Sequence, residues 1–118
     1  MRYALLAYAD SDVFERTGDE ERRRVDARIA EVLARPGVTG WLRLRSTESA
    51  TTVRHDHGRT LMTDGPFVDS KDFLGGLIVV EADDIDGALA IAADLQEARG
   101  GAGAIEVRPV RDEPLVDA

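Results

Sequence analysis

The residues best suited to chemistry in this chain are carboxylates, led by Asp10 and Asp26. Asp10 ends a buried apolar segment, where a strand passes its last residue to a loop, and Asp26 borders the sheet-facing side of a helix. Two carboxylates that share a pocket repel each other, so one keeps a proton and acts as an acid while the other acts as a base. The alternative is structural: Asp26 forms a salt bridge with Arg22, and Asp10 caps its own turn.

Three further residues could contribute to a ligand site. Arg22 lies nearer the centre of the apolar helix stripe than Asp26 does, and its guanidinium could bind an anion or extend to water. Asp64 and Phe67 lie in the motif Asp64-Gly65-Pro66-Phe67, which could supply a pocket acid and an apolar wall for a flat ligand. The same motif also suits a plain tight turn, because glycine and proline favour the backbone conformations of turns.

The remaining candidates are a lysine, a tyrosine and a histidine pair. Lys71, the only lysine, could orient an anion or lie solvated in a charged loop. Tyr3 and Tyr8 are an odd number of residues apart, so they face opposite sides of one strand, and Tyr8 is the candidate pocket wall. His55 and His57 supply only two visible metal ligands, so no metal site is predicted.

The composition predicts one globular domain that has no cysteine in its 118 residues. The net charge of −8 disfavours nucleic acid and anionic membranes as partners, because phosphate binding requires positive potential. The missing cysteine excludes disulfides and thiolate chemistry. No apolar run approaches the ~20 residues that span a bilayer, so we expect a cytoplasmic protein that binds small molecules or proteins.

Hydrophobic periodicity and chain breakers divide residues 1–110 into strands and helices. Strands are predicted at 2–9, 38–45, 73–82 and 105–110, and the glycine pair 75–76 predicts a bulge or a close approach of another chain segment. Helices are predicted at 19–34, with a capping box formed by Thr17 and Glu20, and from a cap at Asp83 or Asp84 to the glycines 100–101. Segments 50–54 and 59–63 flank the turn-like tetrad 55–58 and predict a hairpin. Residues 111–118 are predicted to be a loose tail.

This order of elements predicts an α+β fold, a ferredoxin-like antiparallel sheet with two helices on one face and an inserted β-hairpin. The opposite face of the sheet then has no helix to cover it. A second copy of the chain is the simplest cover, since burying apolar surface contributes about 25 cal/mol per Å². The element count therefore predicts a homodimer.

The segment Thr63–Gly76, TDGPFVDSKDFLGG, resembles the signature of the DGPF-domain proteins of the YCII-related family. The opening MRYALLAY and the closing segments ARGG and EVRPV resemble the same family, so the likeness spans nearly the whole chain. The resemblance implies a dimeric α+β barrel, in which two sheets face each other and enclose a pocket. It implies far less about chemistry, because one fold supports many functions.

The resemblance also implies a pair of site residues. Shorter relatives carry an aspartate just after the first strand and a histidine on the first helix. By resemblance, Asp10 takes the aspartate position, and the histidine position, counted back from Gly37, falls on Asp26. This departure argues against a His–Asp mechanism. Some members act on small aromatic compounds, and DGPF proteins are often encoded beside extracytoplasmic-function sigma factors.

Together these observations predict a cytoplasmic homodimer that binds a small aromatic or carboxylated compound, with no cofactor. Any catalysis would be acid/base chemistry by Asp10, Asp26 and Asp64. The ligand-binding residues would be Tyr8, Arg22, Phe67 and Lys71. The competing hypothesis is a non-enzymatic accessory that binds a ligand or a partner such as a sigma factor and shifts that partner's state.

Overall fold

The computed structural model describes residues 1–116, and its elements follow the predicted α+β order. They are β1 (Arg2–Asp10), α1 (Ser11–Arg16), α2 (Asp19–Leu33), β2 (Val38–Arg43), a 3-10 turn (Thr47–Ser49), β3 (Thr51–Asp56), β4 (Arg59–Asp64), β5 (Asp72–Glu81), α3 (Ile85–Ala98) and β6 (Ala104–Pro109). Residues 111–116 of the predicted tail form no helix or strand, and residues 117–118 lie outside the described part.

Four strands form one antiparallel sheet in the order β2-β5-β1-β6. The two most apolar strands, β1 and β5, occupy its centre, where burial is greatest. Their register shifts between the pairs Ala7–Gly76 and Tyr8–Leu74, which leaves an extra residue on β5 and confirms the predicted bulge. The last strand, β6, is at an edge, as its terminal proline predicts.

The core lies between one face of the sheet and the two long helices. Alternation along β1 buries Tyr3, Leu5 and Ala7 against these helices, because successive side chains of a strand point to opposite faces. The core residues are Tyr3, Leu5, Ala7, Val32, Ile78, Val80, Ala88, Ala92, Leu95 and Ala98. Four of them come from α3, whose apolar stripe follows the helical period and therefore packs as predicted.

The other face of the sheet is apolar along its central strands, and neither α2 nor α3 packs on it. Cross-strand pairing places on this open face Ala4, Leu6, Tyr8, Leu42, Leu74, Leu77 and Val79, together with the charged residues Glu106 and Arg108 of the edge strand β6. Most of these side chains are only partly buried, and Leu42 is exposed. The prediction that this face lacks a helical cover is confirmed, whereas the dimer that would cover it stays a prediction.

The hairpin forms a two-stranded sheet of its own from β3 and β4, which we call the hairpin arm (Thr51–Asp64). Its turn consists of His57 and Gly58, with φ of 49° and 77°. Two positive φ values are the requirement of a type I′ turn, whose twist matches that of the paired strands. The predicted four-residue turn is therefore too wide, because its first two residues, His55 and Asp56, continue β3.

Two local predictions at the start of the helices are wrong. The segment after β1 is the short helix α1, which six residues are too few to reveal by periodicity. The capping box is absent, since the Thr17 hydroxyl donates to the Val13 carbonyl at 2.7 Å and Gly18 occupies the cap position of α2. The cap of α3 is confirmed at Asp84, whose carboxylate accepts the Gly87 N–H at 3.1 Å.

Candidate functional site

A cavity of about 530 Å³ lies between α2 and the strands β1, β2 and β5, on the helix side of the sheet. This volume falls within the roughly 300–1,000 Å³ of typical small-molecule sites. Its apolar wall includes Val25, Ile29, Trp41, Phe73, Ile78 and Leu95. The predicted pocket lies between the two sheets of a dimer, whereas this cavity belongs to a single chain and lies on the other side of the sheet.

Asp10 lines the cavity at the end of β1. One carboxylate oxygen, Oδ1, accepts the N–H of Asp12 at 2.9 Å and that of Val13 at 3.4 Å. These contacts confirm that Asp10 caps its own turn, at the start of α1. The other oxygen, Oδ2, lies 3.8 Å from the Lys71 ammonium. The backbone therefore fixes the orientation of the carboxylate while a cation approaches its second oxygen.

Lys71 reaches Asp10 because the loop before β5 is tied to the end of β1. The Lys71 carbonyl accepts the Ser11 N–H at 2.9 Å, and its ammonium also lies 4.0 Å from the Asp12 carboxylate. The lysine side chain is mostly exposed and does not line the cavity. Lys71 therefore lies solvated in a charged loop, as its acidic neighbours in the sequence predict.

Asp26 lines the same cavity from α2. Its Oδ1 accepts from Nη2 of Arg43 on β2 at 3.2 Å, so the ion pair joins two walls of the cavity. The expected pairing of Asp26 with Arg22 is wrong, because Arg22 instead places Nη1 3.9 Å from the Asp19 carboxylate. Asp10 and Asp26 thus approach different cations, Lys71 and Arg43.

Two cavity arginines have different surroundings. Arg22 reaches the lining from the first turn of α2 and is partly buried. Arg99 follows α3 and donates to the carbonyl of Tyr8 at 2.6 Å and to Gln96 Oε1 at 2.9 Å. Burial lowers the pKa of Arg99, because the charged guanidinium loses hydration. Arg99 therefore links the end of β1 to the segment that follows α3.

Sequence reasoning missed Trp41 and Arg43, both of which line the cavity from β2. They face the helices because β2 pairs with β5 so that Trp41 lies opposite Ile78 and Arg43 opposite Gly76. The alternation of β2 could have placed the two residues on one face. Only the register with β5 shows that this is the cavity face.

The other predicted site residues do not line the cavity. Tyr8 lies on the open face opposite Leu74, and Asp64 ends the hairpin arm opposite Thr51. Phe67 is 74% exposed, with the Arg54 guanidinium 6.0 Å from its ring centroid. The structure thus brings together Asp10, Arg22 and Asp26 in one cavity, and leaves Tyr8, Asp64 and Phe67 outside it.

The charges of the lining are nearly balanced although the chain is acidic. The cavity collects three arginines, Arg22, Arg43 and Arg99, and four carboxylates, Asp10, Glu15, Asp26 and Glu48. Among residues 1–116, no cluster of three histidine or carboxylate side chains offers a metal site. No helix in this part of the chain is long and apolar enough to cross a membrane.

The fold and the cavity define a small α+β protein in which one helix covers an apolar chamber on a four-stranded antiparallel sheet. The chain belongs to the YCII-related domain family, whose sequence model matches residues 1–114. It is similar to an uncharacterized protein of Rhizobium meliloti (strain 1021), R00369, with 37% identity over 114 residues, which cover 93% of this chain and 92% of that protein. The predicted family membership is confirmed.

Proposed function

We propose that this protein binds a small aromatic compound with an anionic group in the cavity beneath α2, and that Asp10 and Asp26 exchange protons with it. The observation that carries the proposal is the composition of one cavity, which has aromatic walls and three arginines and includes both Asp10 and Asp26 among its four carboxylates. Small-molecule sites combine a mainly apolar lining with a few polar groups that fix orientation.

The aromatic part of the ligand would contact Trp41 and Phe73. A flat ring suits such walls because stacked or edge-to-face aromatic contacts contribute about 0.5–1.5 kcal/mol beyond burial. Arg22 and Arg43 would bind the anionic group, since a guanidinium offers paired donors that match a carboxylate. Ligand binding at Arg43 would compete with Asp26, which occupies one of its donors at 3.2 Å.

The proposed chemistry is a proton transfer that needs no cofactor. One carboxylate would take a proton from an acidic C–H or O–H of the ligand, and the other, protonated, would return one to a second ligand atom. Asp10 suits the role of base, because backbone N–H groups hold Oδ1 while Oδ2 lies 3.8 Å from Lys71. The result would be an isomerisation, in which the protein ends with the same number of protons.

The proposal includes a homodimer formed through the open face of the sheet. Each ferredoxin-like chain would stack its partly buried apolar side chains, such as Leu6, Leu77 and Val79, on the same face of a second copy. The product is the dimeric α+β barrel implied by the resemblance. The cavity beneath α2 is on the helix side of each sheet, so both cavities stay open in this arrangement.

The binding step can be tested through Trp41, the only tryptophan, which lines the cavity. Titration with benzoate should change its fluorescence, and benzamide, a neutral molecule of the same shape, should bind about tenfold more weakly. Arg22→Gln should remove this preference, whereas Arg23→Gln, one residue further along α2 and outside the lining, should keep it. Equal binding of both compounds, or no fluorescence change with either, would contradict the proposed site.

The catalytic step needs a separate measurement, made on a panel of small aromatic acids by proton NMR in heavy water. A substrate should exchange a proton for deuterium or isomerise, and Asp10→Asn should slow this by about 100-fold or more while benzoate still binds. Binding without turnover of any panel compound, together with a protein that co-purifies, would favour the non-enzymatic accessory instead.

A further inference from the structure

Within the described residues, the hairpin arm makes few contacts with the rest of its own chain. Its strands pair only with each other, and neither packs extensively on another element of the described residues. Val53 and Met62 form a directly opposed cross-strand pair, yet their side chains are 62% and 73% exposed. An isolated two-stranded hairpin is marginally stable in water, so an ordered arm requires packing from elsewhere.

The shape of the molecule shows where the arm lies. The radius of gyration is 16.5 Å, against about 13.5 Å for a compact domain of this length. The extents are 46 × 44 × 17 Å. One sheet and one helix layer, about 10 Å apart, account for most of the smallest dimension. The arm therefore extends in the plane of these layers and folds over neither face of the sheet.

We propose that the hairpin arm packs against a second copy of this chain, through a face centred on Val53 and Met62. This inference rests on the homodimer of the proposed function and adds a second contact surface to it. In a sheet-to-sheet stack of two flat chains, an arm that extends in the plane of the layers lies beside or over the other copy. The isologous geometry of such a dimer makes the same contact twice.

The area of the open face favours a second copy of the chain as the partner of the arm. Each strand residue covers about 3.3 Å by 4.8 Å, so the four strands offer roughly 500 Å² in plan. A stable interface buries about 800 Å² on each partner. Only part of the sheet face is apolar, because the outer side of β6 carries charged side chains, and the exposed arm residues Val53 and Met62, with Phe67 and Val68 beside the arm, supply further apolar area.

The charge of the arm is compatible with the same partner. Within the arm, Arg54 and Arg59 balance Asp56 and Asp64, while the whole chain has a net charge of −8. Two acidic bodies repel each other, and an arm without net charge adds nothing to that repulsion when it contacts the acidic body of the other copy.

The test compares three variants by sedimentation velocity over a dilution series. The double variant Val53→Thr with Met62→Gln should raise the dimer dissociation constant by about tenfold or more. Leu115→Gln, which changes a fully exposed leucine outside the arm, should leave it unchanged. Leu6→Arg, on the open face, should give monomers. Circular dichroism should show the same fold for all variants, because the arm substitutions replace exposed side chains.

Hydrogen exchange provides a second readout. In the wild-type protein, exchange across β3 and β4 should slow as the protein concentration rises through the dissociation constant. If Leu6→Arg gives monomers but the arm variant dissociates like the wild type, the arm proposal is wrong and the sheet dimer stands. If the wild type is a monomer at about 100 µM, both the arm proposal and the dimer are wrong. Benzoate binding at Trp41 tests the cavity separately.

Discussion

Arg43 on β2 donates to the Asp26 carboxylate on α2, with 3.2 Å between Nη2 and Oδ1, and both residues line the cavity. A similar pair lies outside the cavity, where Arg35 Nη1 is 2.6 Å from the Asp94 carboxylate on α3. The two aspartate side chains are 46% and 47% exposed. Asp94 therefore provides a matched control for the role of Asp26.

The first prediction concerns Asp26→Asn compared with Asp94→Asn. Both variants should lose less than about 1 kcal/mol of unfolding free energy, because exposed ion pairs contribute little. Only Asp26→Asn should affect the site: it should bind benzoate as well as the wild type or up to about tenfold more tightly, since Arg43 loses its competing carboxylate. Turnover of a panel substrate should fall by about 100-fold.

Fluorescence titration and turnover assays on the two variants decide this prediction. Weaker benzoate binding by Asp26→Asn would mean that the carboxylate attracts the ligand instead of competing with its anionic group. Equal turnover by both variants would remove Asp26 from the chemistry and leave Asp10 as the remaining cavity candidate.

The second prediction concerns Arg99, which is partly buried and donates to carbonyls of both β1 and β6. Arg99→Met should lower the unfolding free energy by about 2–3 kcal/mol, because the Tyr8 carbonyl and the Gln96 side chain lose a charged donor. The measurement is urea denaturation near neutral pH. Arg108→Met, at an exposed position on β6, should cost less than about 1 kcal/mol. Equal losses in the two variants would show that the bonds of Arg99 add nothing beyond a surface charge.

The third prediction concerns Gly103, where the chain passes close to the end of β1. A Cβ at this position would clash with the Tyr8 carbonyl oxygen, and φ is +68°. Gly103→Ala should therefore cost at least about 2 kcal/mol, since the backbone must move and the left-handed conformation disfavours alanine. In contrast, Gly40→Ala on β2 meets no atom within 4 Å and should have little effect. Thermal denaturation of both variants gives the comparison, and similar midpoints would contradict the close approach.

The fold could be predicted from sequence wherever the hydrophobic periodicity of a segment and the glycine or proline residues near its ends indicated the same element. The apolar run of residues 2–9 identified β1, and the stripe of α3 identified its packing. The glycine pair on β5 predicted the bulge. Each of these signals is local in sequence, so it can be recognised without knowledge of the tertiary structure.

The site was less predictable because it depends on contacts between distant segments. Asp26 carries no sequence signal for Arg43, since the contact between them depends on how α2 lies over the register of β2 and β5. Lys71 meets Asp10 only because the loop before β5 bonds to Ser11. The hairpin was predicted, but its separation from the main sheet was not, because strand propensity does not specify which strands pair.

The last prediction concerns pH, through Glu21 and Arg24 on α2. Arg24 donates to Glu21 Oε2 from Nη2 at 2.7 Å and from Nε at 3.2 Å. This hydrogen bonding, together with the positive charge, lowers the pKa of Glu21 from its ordinary value. A carboxyl with a lowered folded-state pKa stabilises the fold above its unfolded pKa of about 4.3, and this contribution disappears as the pH falls through the folded value.

Glu21→Gln should therefore be less stable than the wild type near neutral pH, and the difference should shrink towards zero in acid. The effect should be small, because the pair is exposed to solvent and salt. Urea midpoints measured from about pH 7 to about pH 3 give the curve, and Glu31→Gln on the same helix corrects for the loss of one negative charge. A difference that persists unchanged below the folded-state pKa would show that the glutamine perturbs α2 by another route, since a protonated Glu21 no longer has the charge that Arg24 stabilises.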